Sequence, residues 1–382
     1  MPKSGTRGDH GHGHHEPAPD TPDTPAPPPP ASDAERVARL RPAYQAELAD
    51  GIARFFEPRR TDCPWCGARQ LRRRLRTKDH LQRKPGTFTL DQCRDCGHTF
   101  QNPQLSAAGL DFYYRDFYDG LYAEKIGGAL DSDAARKRNH DRAVAMRRHA
   151  RPKRWLDVGT AGGDFCLAAK EALPGTAFDG LDIGAHVLGA QRSGRIERAY
   201  QGFLPDLADE LAGQYDAVSM FHCLEHTTDP QAQLAAVHTV LRPGGHLIIE
   251  VPNPESPFGR LFGRYWLPWF QPQHQHFVTM RNLRRALTEL GFTVVATDRE
   301  ESHIPVDFTA LVGLYVLRLL PFRDEPWLPE PPGRLGAAVT KTVFWAGIPF
   351  CFPMYALDRL LAPLIRRSRF SNAFRVIARR EE

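Results

Sequence analysis

The spacing of apolar residues changes character along the chain and predicts different elements in turn. Val37, Leu40, Tyr44 and Leu48 recur at helical spacing and predict a helix over Ala34–Phe56. Ser132–His149 reads as a polar, basic helix. From Arg154 onward, short apolar runs alternate with helical patterns, the mark of a parallel, doubly wound α/β sheet. Trp155–Val158 is the expected first strand, Phe165–Leu173 its helix and Phe178–Asp182 the second strand, with a short third near Ala199. Tyr215–Met220, the helix Gln231–Leu241 and the strand His246–Val251 continue the alternation. Asn282–Leu290 is helical, Phe292–Ala296 is a strand, and Ala373–Ala378 alternates like a closing strand.

Two stretches fall outside that pattern. Residues 1–32 hold nine prolines and the cluster His10, His12, His14 and His15. With too little apolar surface to bury a core, they are expected to form a disordered tail with no specific function. Between the last two strands, Pro305–Arg369 is an apolar, mostly helical insertion containing Ala310–Leu317 and the run Val343–Leu357. That run carries Pro349 and Pro353 and is shorter than the ~20 residues a spanning helix needs. One reading is a hairpin resting on a membrane surface, with Arg359, Arg366, Arg367 and Arg369 on phosphates. The other, which is favoured, is a cap or dimer face buried against the body. The chain thus divides into a tail (1–32), a helix plus cysteine module (33–105), an α/β domain (106–300), the insertion (301–370) and a closing strand (371–382).

Composition narrows the class. A net charge of +5 over 382 residues is too mild to imply nucleic acid by itself. Seven cysteines, an odd number, argue against a secreted disulfide scaffold, and no apolar signal segment opens the sequence. A cytoplasmic protein, at most peripheral to a membrane, is expected. Four cysteines form the pairs Cys63/Cys66 and Cys93/Cys96, each followed by a glycine that allows the tight turn of a zinc knuckle. Four thiolates make a closed, structural zinc site with no position open for a catalytic water; two unrelated surface pairs are the alternative. Between the pairs stand Arg69, Arg72, Arg73, Arg74, Arg76, Lys78, Arg83 and Lys84, with Asp79 the one acidic residue in the run Arg69–Lys84. This basic run suits either a grip on RNA or a nucleotide-linked substrate, or a solvated hairpin. No aromatic residue interrupts Arg69–Lys84, so the stacking platform of single-strand binders is missing.

Leu156-Asp-Val-Gly-Thr-Ala-Gly-Gly-Asp-Phe165 ends a strand and opens a helix, where glycines let backbone approach a ligand. The spacing is not the G-x-G-x-x-G of dinucleotide sites. Asp182, ending the second strand, is placed to accept from a ribose diol. With Asp216–His226, Asp229-Pro230 and Leu241-Arg-Pro-Gly-Gly245, these motifs resemble the class I S-adenosylmethionine-dependent methyltransferases over residues 150–300 plus the last strand. The resemblance implies a Rossmann-like sheet of seven strands and S-adenosylmethionine as cofactor. It places Asp157, Gly159, Gly162 and Gly163 at the methionine part, Asp182 at the ribose, and Phe221 and His222 beside the cofactor. Ala161 stands where the commoner D-x-G-x-G-x-G pattern has its middle glycine, implying a slightly wider loop. The cysteine module, followed by Cys96-Gly-His-Thr-Phe-Gln-Asn-Pro103 and a Tyr-rich helix, is similar to a zinc-ribbon branch of these enzymes. Some members of that branch methylate carbon on nucleotide-linked deoxysugars.

A sulfonium methyl is already a strong electrophile, so such a protein positions, shields and, for oxygen or carbon acceptors, removes a proton. The candidate bases are His226 after the fourth strand, and His274 and His276 after the fifth. By the resemblance, His274 matches a histidine that recurs at this loop and ranks first; His226 alternatively only bonds the adjoining helix start. Trp266, Trp269 and Phe270 wall an acceptor pocket or pack a lid. The expected function is methyl transfer to a small molecule or sugar conjugate. RNA methylation guided by the basic module, and a cofactor-binding interaction protein without turnover, are the alternatives.

Overall fold

The computed structural model describes residues 32–117 and 133–382. The expected tail (apart from Ser32) and the end of the aromatic stretch at Tyr118 lie outside the described residues. Ser32 starts α1 (Asp33–Leu48) with a reciprocal cap: its hydroxyl accepts from Glu35 N–H and its own N–H donates to the Glu35 carboxylate. The helix ends before the predicted Phe56 because Gly51 takes a left-handed φ of 77° and turns the chain.

Strands β1 (Leu71–Thr77), β2 (Phe88–Cys93) and β3 (Thr99–Gln101) form the antiparallel cysteine module, followed by α2 (Ala107–Tyr114) and α3 (Asp133–Arg147). The α/β body then runs β4 (Arg154–Val158), α4 (Asp164–Ala172), β5 (Ala177–Asp182), α5 (His186–Arg192) and β6 (Ala199–Gln201). It continues through α6 (Leu204–Leu207), β7 (Tyr215–Phe221), α7 (Pro230–Val240) and β8 (Leu241–Pro252). After α8 (Phe258–Leu261) and β9 (His276–Phe277) come α9 (Met280–Glu289), β10 (Phe292–Asp298), α10 (Asp307–Leu319), α11 (Arg334–Ile365) and β11 (Ala373–Arg380).

The seven-stranded sheet has the order β10-β11-β8-β7-β4-β5-β6. Its centre is parallel, and β11 enters antiparallel between β8 and β10. Both faces are covered, which is why the central strands read as near-continuous apolar runs. Leu156, Val218, Leu247 and Ile249 pack on one side; Trp155, Phe178, Ala217 and Ile248 pack on the other. The indole of buried Trp155 donates to Ser219 Oγ at 2.8 Å, so the large ring carries no unpaired donor.

Two features differ from expectation. First, β9 belongs to the smaller sheet, ordered β1-β2-β3-β9, and so stitches the segment after β8 onto the cysteine module. Second, Pro349, Pro353 and Pro363 do not interrupt the insertion; α11 runs through all three as a 32-residue helix. Pro349, Pro353 and Pro363 lie on its exposed side, where the lost backbone bonds open toward solvent. Nor is the insertion covered by the body. α10 and α11 pack antiparallel through an inner stripe, where Gly347 sits so close to Val316 that an added Cβ would lie 2.5 Å from Val316 Cγ1. The outer face of α11 is left exposed.

Candidate active site

The glycine loop joins β4 to α4 at the carboxyl edge of the sheet. Gly159 (φ 77°) and Gly163 (φ 78°) adopt left-handed backbone, and a Cβ on Gly159 would press on Cys223 at 3.0 Å. Ala161 also takes positive φ, 46°, so the loop keeps the shape that the middle glycine would give and alanine bears the strain. Asp182, at the end of β5, holds that shape: its carboxylate accepts from Ala161 N–H at 2.9 Å and from Gly184 N–H at 2.8 Å. Asp182 is half-buried beside exposed Gly159 and Ala161, leaving lone pairs for a diol. Gly162 is half-buried, with only Arg195 near its open side. Asp157 is buried beneath the loop, accepting from Ser219 Oγ at 2.5 Å, and its enclosure pushes its carboxyl up to about 6. It supports the loop from below and does not open onto it.

Phe221 and His222 end β7 opposite the loop. The Phe221 ring packs against Phe165 and under the Arg142 guanidinium, 4.2 Å from the ring centre. His222 has a positive φ of 51° and donates its backbone N–H to Glu250 O. Its Nδ1 meets Glu225 Oε1 at 3.1 Å, while its Nε2 and Glu225 Oε2 are buried without a protein partner. Unpaired polar atoms facing a glycine-lined edge fit a polar cofactor there. Ile183 and Phe203, about half exposed at 52% and 53%, flank Asp182 in sequence and at the strand ends. Sequence reasoning passed over them; an apolar residue directly after the ribose-type carboxylate is the signal that marks Ile183.

The candidate bases separate into two groups. His276 is fully buried in β9; Nε2 lies 3.1 Å from Thr228 O and Nδ1 lies 3.0 Å from His98 Nε2. Nε2 also lies 2.8 Å from Gln104 Nε2, so both ring nitrogens are occupied within the protein and nothing remains for a substrate proton. This corrects its candidacy as a base: it ties the cysteine module to the body. His226 and His274 instead meet edge to face, ring centres 4.6 Å apart. The Tyr114 hydroxyl donates to Gln273 O at 2.7 Å and lies 3.1 Å from His226 Nδ1, from which it accepts. His274 Nδ1–H donates to Pro268 O at 2.9 Å, leaving its Nε2 lone pair. Ligand atoms of Glu225, His226 and His274 all lie within 4.8 Å of one another. Burial, then His226, holds the His274 imidazole down at about 3, and burial also lowers His226. Burial pushes the Glu225 carboxyl up, but the hydrogen bond and charge of His222 outweigh it and keep the carboxylate ionised. The result is a tight cluster of one carboxylate and two imidazoles, suited to a substrate hydroxyl or a divalent cation. Trp266 and Trp269 are buried, their indoles donating to Asp307 and Gly259 O; they pack the segment that carries His274.

Behind this edge lies a group that sequence reasoning missed. Glu250 is fully buried between Arg142 and Arg375, each Nε donating at 2.7 Å. The two guanidinia outweigh burial and hold its carboxyl at about 2. Through Glu250 O and Arg142 the cluster fixes His222 and Phe221.

In the cysteine module, Cys63–Cys96 and Cys66–Cys93 sulfurs lie 3.7 Å apart, and all four sulfurs lie within 4.8 Å of one another. A tetrahedron with bonds of ~2.3 Å has edges of about 3.8 Å. Gly67 and Gly97 take the expected positive φ, 72° and 77°. Part of the basic run is spent internally. Arg74 stacks on Trp269, Arg83 donates to Leu320 O, and buried Lys84 donates to Phe112 O and Arg115 O within a cage of Tyr44, Phe112 and Trp327.

Residues 130–297 match a family model described as a methyltransferase domain. This stretch carries the glycine loop, Asp182 and the cluster of Glu225, His226 and His274, and it is similar to methyltransferase domains. Its similar curated relatives include the ubiquinone biosynthesis O-methyltransferase of Aeromonas salmonicida, 32% identical over 153 residues, covering 37% of this chain and 63% of that protein. The protein of the same name from Azotobacter vinelandii is 31% identical over 131 residues, covering 32% of this chain and 56% of that one. The chain therefore spans less than two thirds of the length of these relatives. Among solved structures, 1,6-didemethyltoxoflavin-N1-methyltransferase of Burkholderia thailandensis is 15% identical with a TM-score of 0.42, over 76% of this chain and 99% of that one. The cysteine module and the α10–α11 hairpin lie outside the family match.

Proposed function

We propose that this protein transfers a methyl group from S-adenosylmethionine to a hydroxyl of a small-molecule acceptor, free or sugar-linked. The observation that carries this reading is the convergence of the Glu225 carboxylate and the His226 and His274 imidazoles, all within 4.8 Å of one another, at the carboxyl edge of the sheet. The naming of its relatives as O-methyltransferases agrees with it. When bound, S-adenosylmethionine supplies the electrophilic methyl. The loop Gly159–Gly163 and Asp182 hold the cofactor, with His222 Nε2 and the apolar Ile183 and Phe203 at its border. His274 Nε2, oriented by Pro268 O, takes the acceptor proton; His226, oriented by Tyr114, and Glu225 stabilise the charge that forms. Burial keeps water from the reacting oxygen.

The four cysteines hold a structural zinc ion, for which the 3.7 Å sulfur spacings provide support. RNA methylation is disfavoured because Arg74, Arg83 and Lys84 serve the fold. The test is incubation of the protein with isotopically labelled S-adenosylmethionine and a metabolite extract. A labelled small molecule is expected, its formation lost in His274→Ala while S-adenosylhomocysteine still binds. Label found only in added RNA would overturn the reading.

A further inference from the structure

We propose that the α10–α11 hairpin docks the protein on an anionic lipid bilayer, lying in the plane of the interface. Of the described residues, Arg334–Ile365 is the helix long and apolar enough to cross a membrane by length and composition, yet almost none of its apolar window is buried. Twelve of the eighteen exposed large apolar side chains among the described residues lie on this hairpin, from Tyr315 to Leu364. Trp345 (60% exposed), Phe350 (66%), Phe352 (69%) and Leu360 (73%) share the outer side of α11. A continuous apolar face of this kind needs a cover.

Charge identifies the cover. Between Arg334 and Arg369 stand Arg334, Lys341, Arg359, Arg366, Arg367 and Arg369. The one carboxylate in that stretch, Asp358, is buried and turned inward, capping α10 through Phe308 N–H, Thr309 N–H and the Thr309 hydroxyl. Arg366 and Arg367 share Glu300; Arg334, Lys341 and Arg359 form no ion pair among the described residues. Cations thus flank an aromatic, apolar middle, the arrangement that seats rings at the headgroup level and basic side chains on lipid phosphates. A second copy of the chain on this face would bring like charges together at both ends of α11.

The helix lies along the surface and does not cross. The uncharged run between Lys341 and Asp358 is 16 residues, about 24 Å of helix, against a hydrocarbon core of ~30 Å. Both ends of the hairpin are also tied to the body. Asp307 accepts from the Trp266 indole at 3.0 Å, and the α10–α11 connection is held by Arg41 on Asp324 and Arg83 on Leu320 O. Tyr315 packs on Tyr265. The hairpin thus packs through Tyr315 of α10 on the segment between β8 and β9, which also carries His274.

The experiment is flotation of the full-length protein with phosphatidylcholine vesicles, with and without phosphatidylglycerol. Flotation is expected only with the anionic vesicles, by about tenfold or more, and is expected to weaken as salt rises. The pair Trp345→Glu/Phe352→Glu should abolish it while S-adenosylhomocysteine affinity stays within about twofold, showing an intact body. The pair Arg359→Glu/Lys341→Glu should remove the preference for phosphatidylglycerol. No flotation, or equal flotation on both vesicles, would overturn the proposal. So would a stable dimer in vesicle-free buffer that the Trp345/Phe352 pair dissociates, since the face would then be covered by a second copy.

Discussion

Replacing Glu250 by glutamine keeps the shape of the side chain and removes the charge on which two buried guanidinia depend. Arg142 and Arg375 are 9% and 2% exposed at the side chain, with their terminal nitrogens 2.5 and 2.6 Å from the carboxylate. Asn139 and Glu301 are the further partners of these arginines. Breaking such a pair typically costs about 3–5 kcal/mol, because Arg142 is left buried without a counter-charge and Arg375 keeps only Glu301. An independent route gives a similar size: a carboxyl held at about 2 instead of 4.5 corresponds to roughly 3 kcal/mol. Since the folded-state value is depressed, this stability is fully present above pH 4.5 and is lost as pH falls toward 2. Urea unfolding followed by tryptophan fluorescence should therefore show Glu250→Gln less stable by about 3 kcal/mol at pH 7, with a melting temperature lower by roughly 4 °C. The deficit should shrink as pH falls from 4.5 toward 2, where the parent also loses its charge. A glutamine variant within about 1 kcal/mol of the parent at pH 7, or one with an unchanged acid slope, would refute the reasoning.

Other outcomes follow from the same contacts. His274→Ala should lower kcat by about 100-fold or more with little change in S-adenosylhomocysteine affinity, measured by steady-state kinetics and calorimetry. Because burial keeps His274 unprotonated down to about pH 3, it should add no acid limb to kcat/KM between pH 8 and 5. Zinc measured by elemental mass spectrometry should be one per chain, and Cys96→Ser should lower both zinc content and melting temperature; full stability without metal would contradict the closed site. Gly347→Val should force α10 and α11 apart at Val316, costing about 1–3 kcal/mol and exposing the hairpin to limited proteolysis before the body.

The α/β body was legible because covered parallel strands and their helices write short, alternating apolar patterns, and because Gly159, Gly163 and Asp182 sit at strand ends where local backbone demands them. Pairings across long separations were not legible. Glu250 lies on an apolar strand, and its partners are 108 and 125 residues away in sequence. Tyr114 orients His226 from 112 residues upstream. His276 read like a second base beside His274, yet only His276 enters β9, where it meets His98, while His274 lies before the strand and meets His226. The prolines of α11 misled for a different reason. A proline breaks a helix when its lost bond is buried or its ring clashes inward, whereas these three face outward on a helix held by its inner stripe.

The central claim is that the glycine loop and Asp182 form a working S-adenosylmethionine site. Calorimetric titration of the full-length protein with S-adenosylhomocysteine tests it most directly. Saturable binding of one molecule per chain is predicted, weakened by about 10- to 100-fold in Asp182→Ala, which removes the carboxylate that fixes Ala161 and Gly184 and receives the ribose. A folded parent protein that shows no saturable binding, or an Asp182→Ala variant that binds as tightly as the parent, would contradict the account.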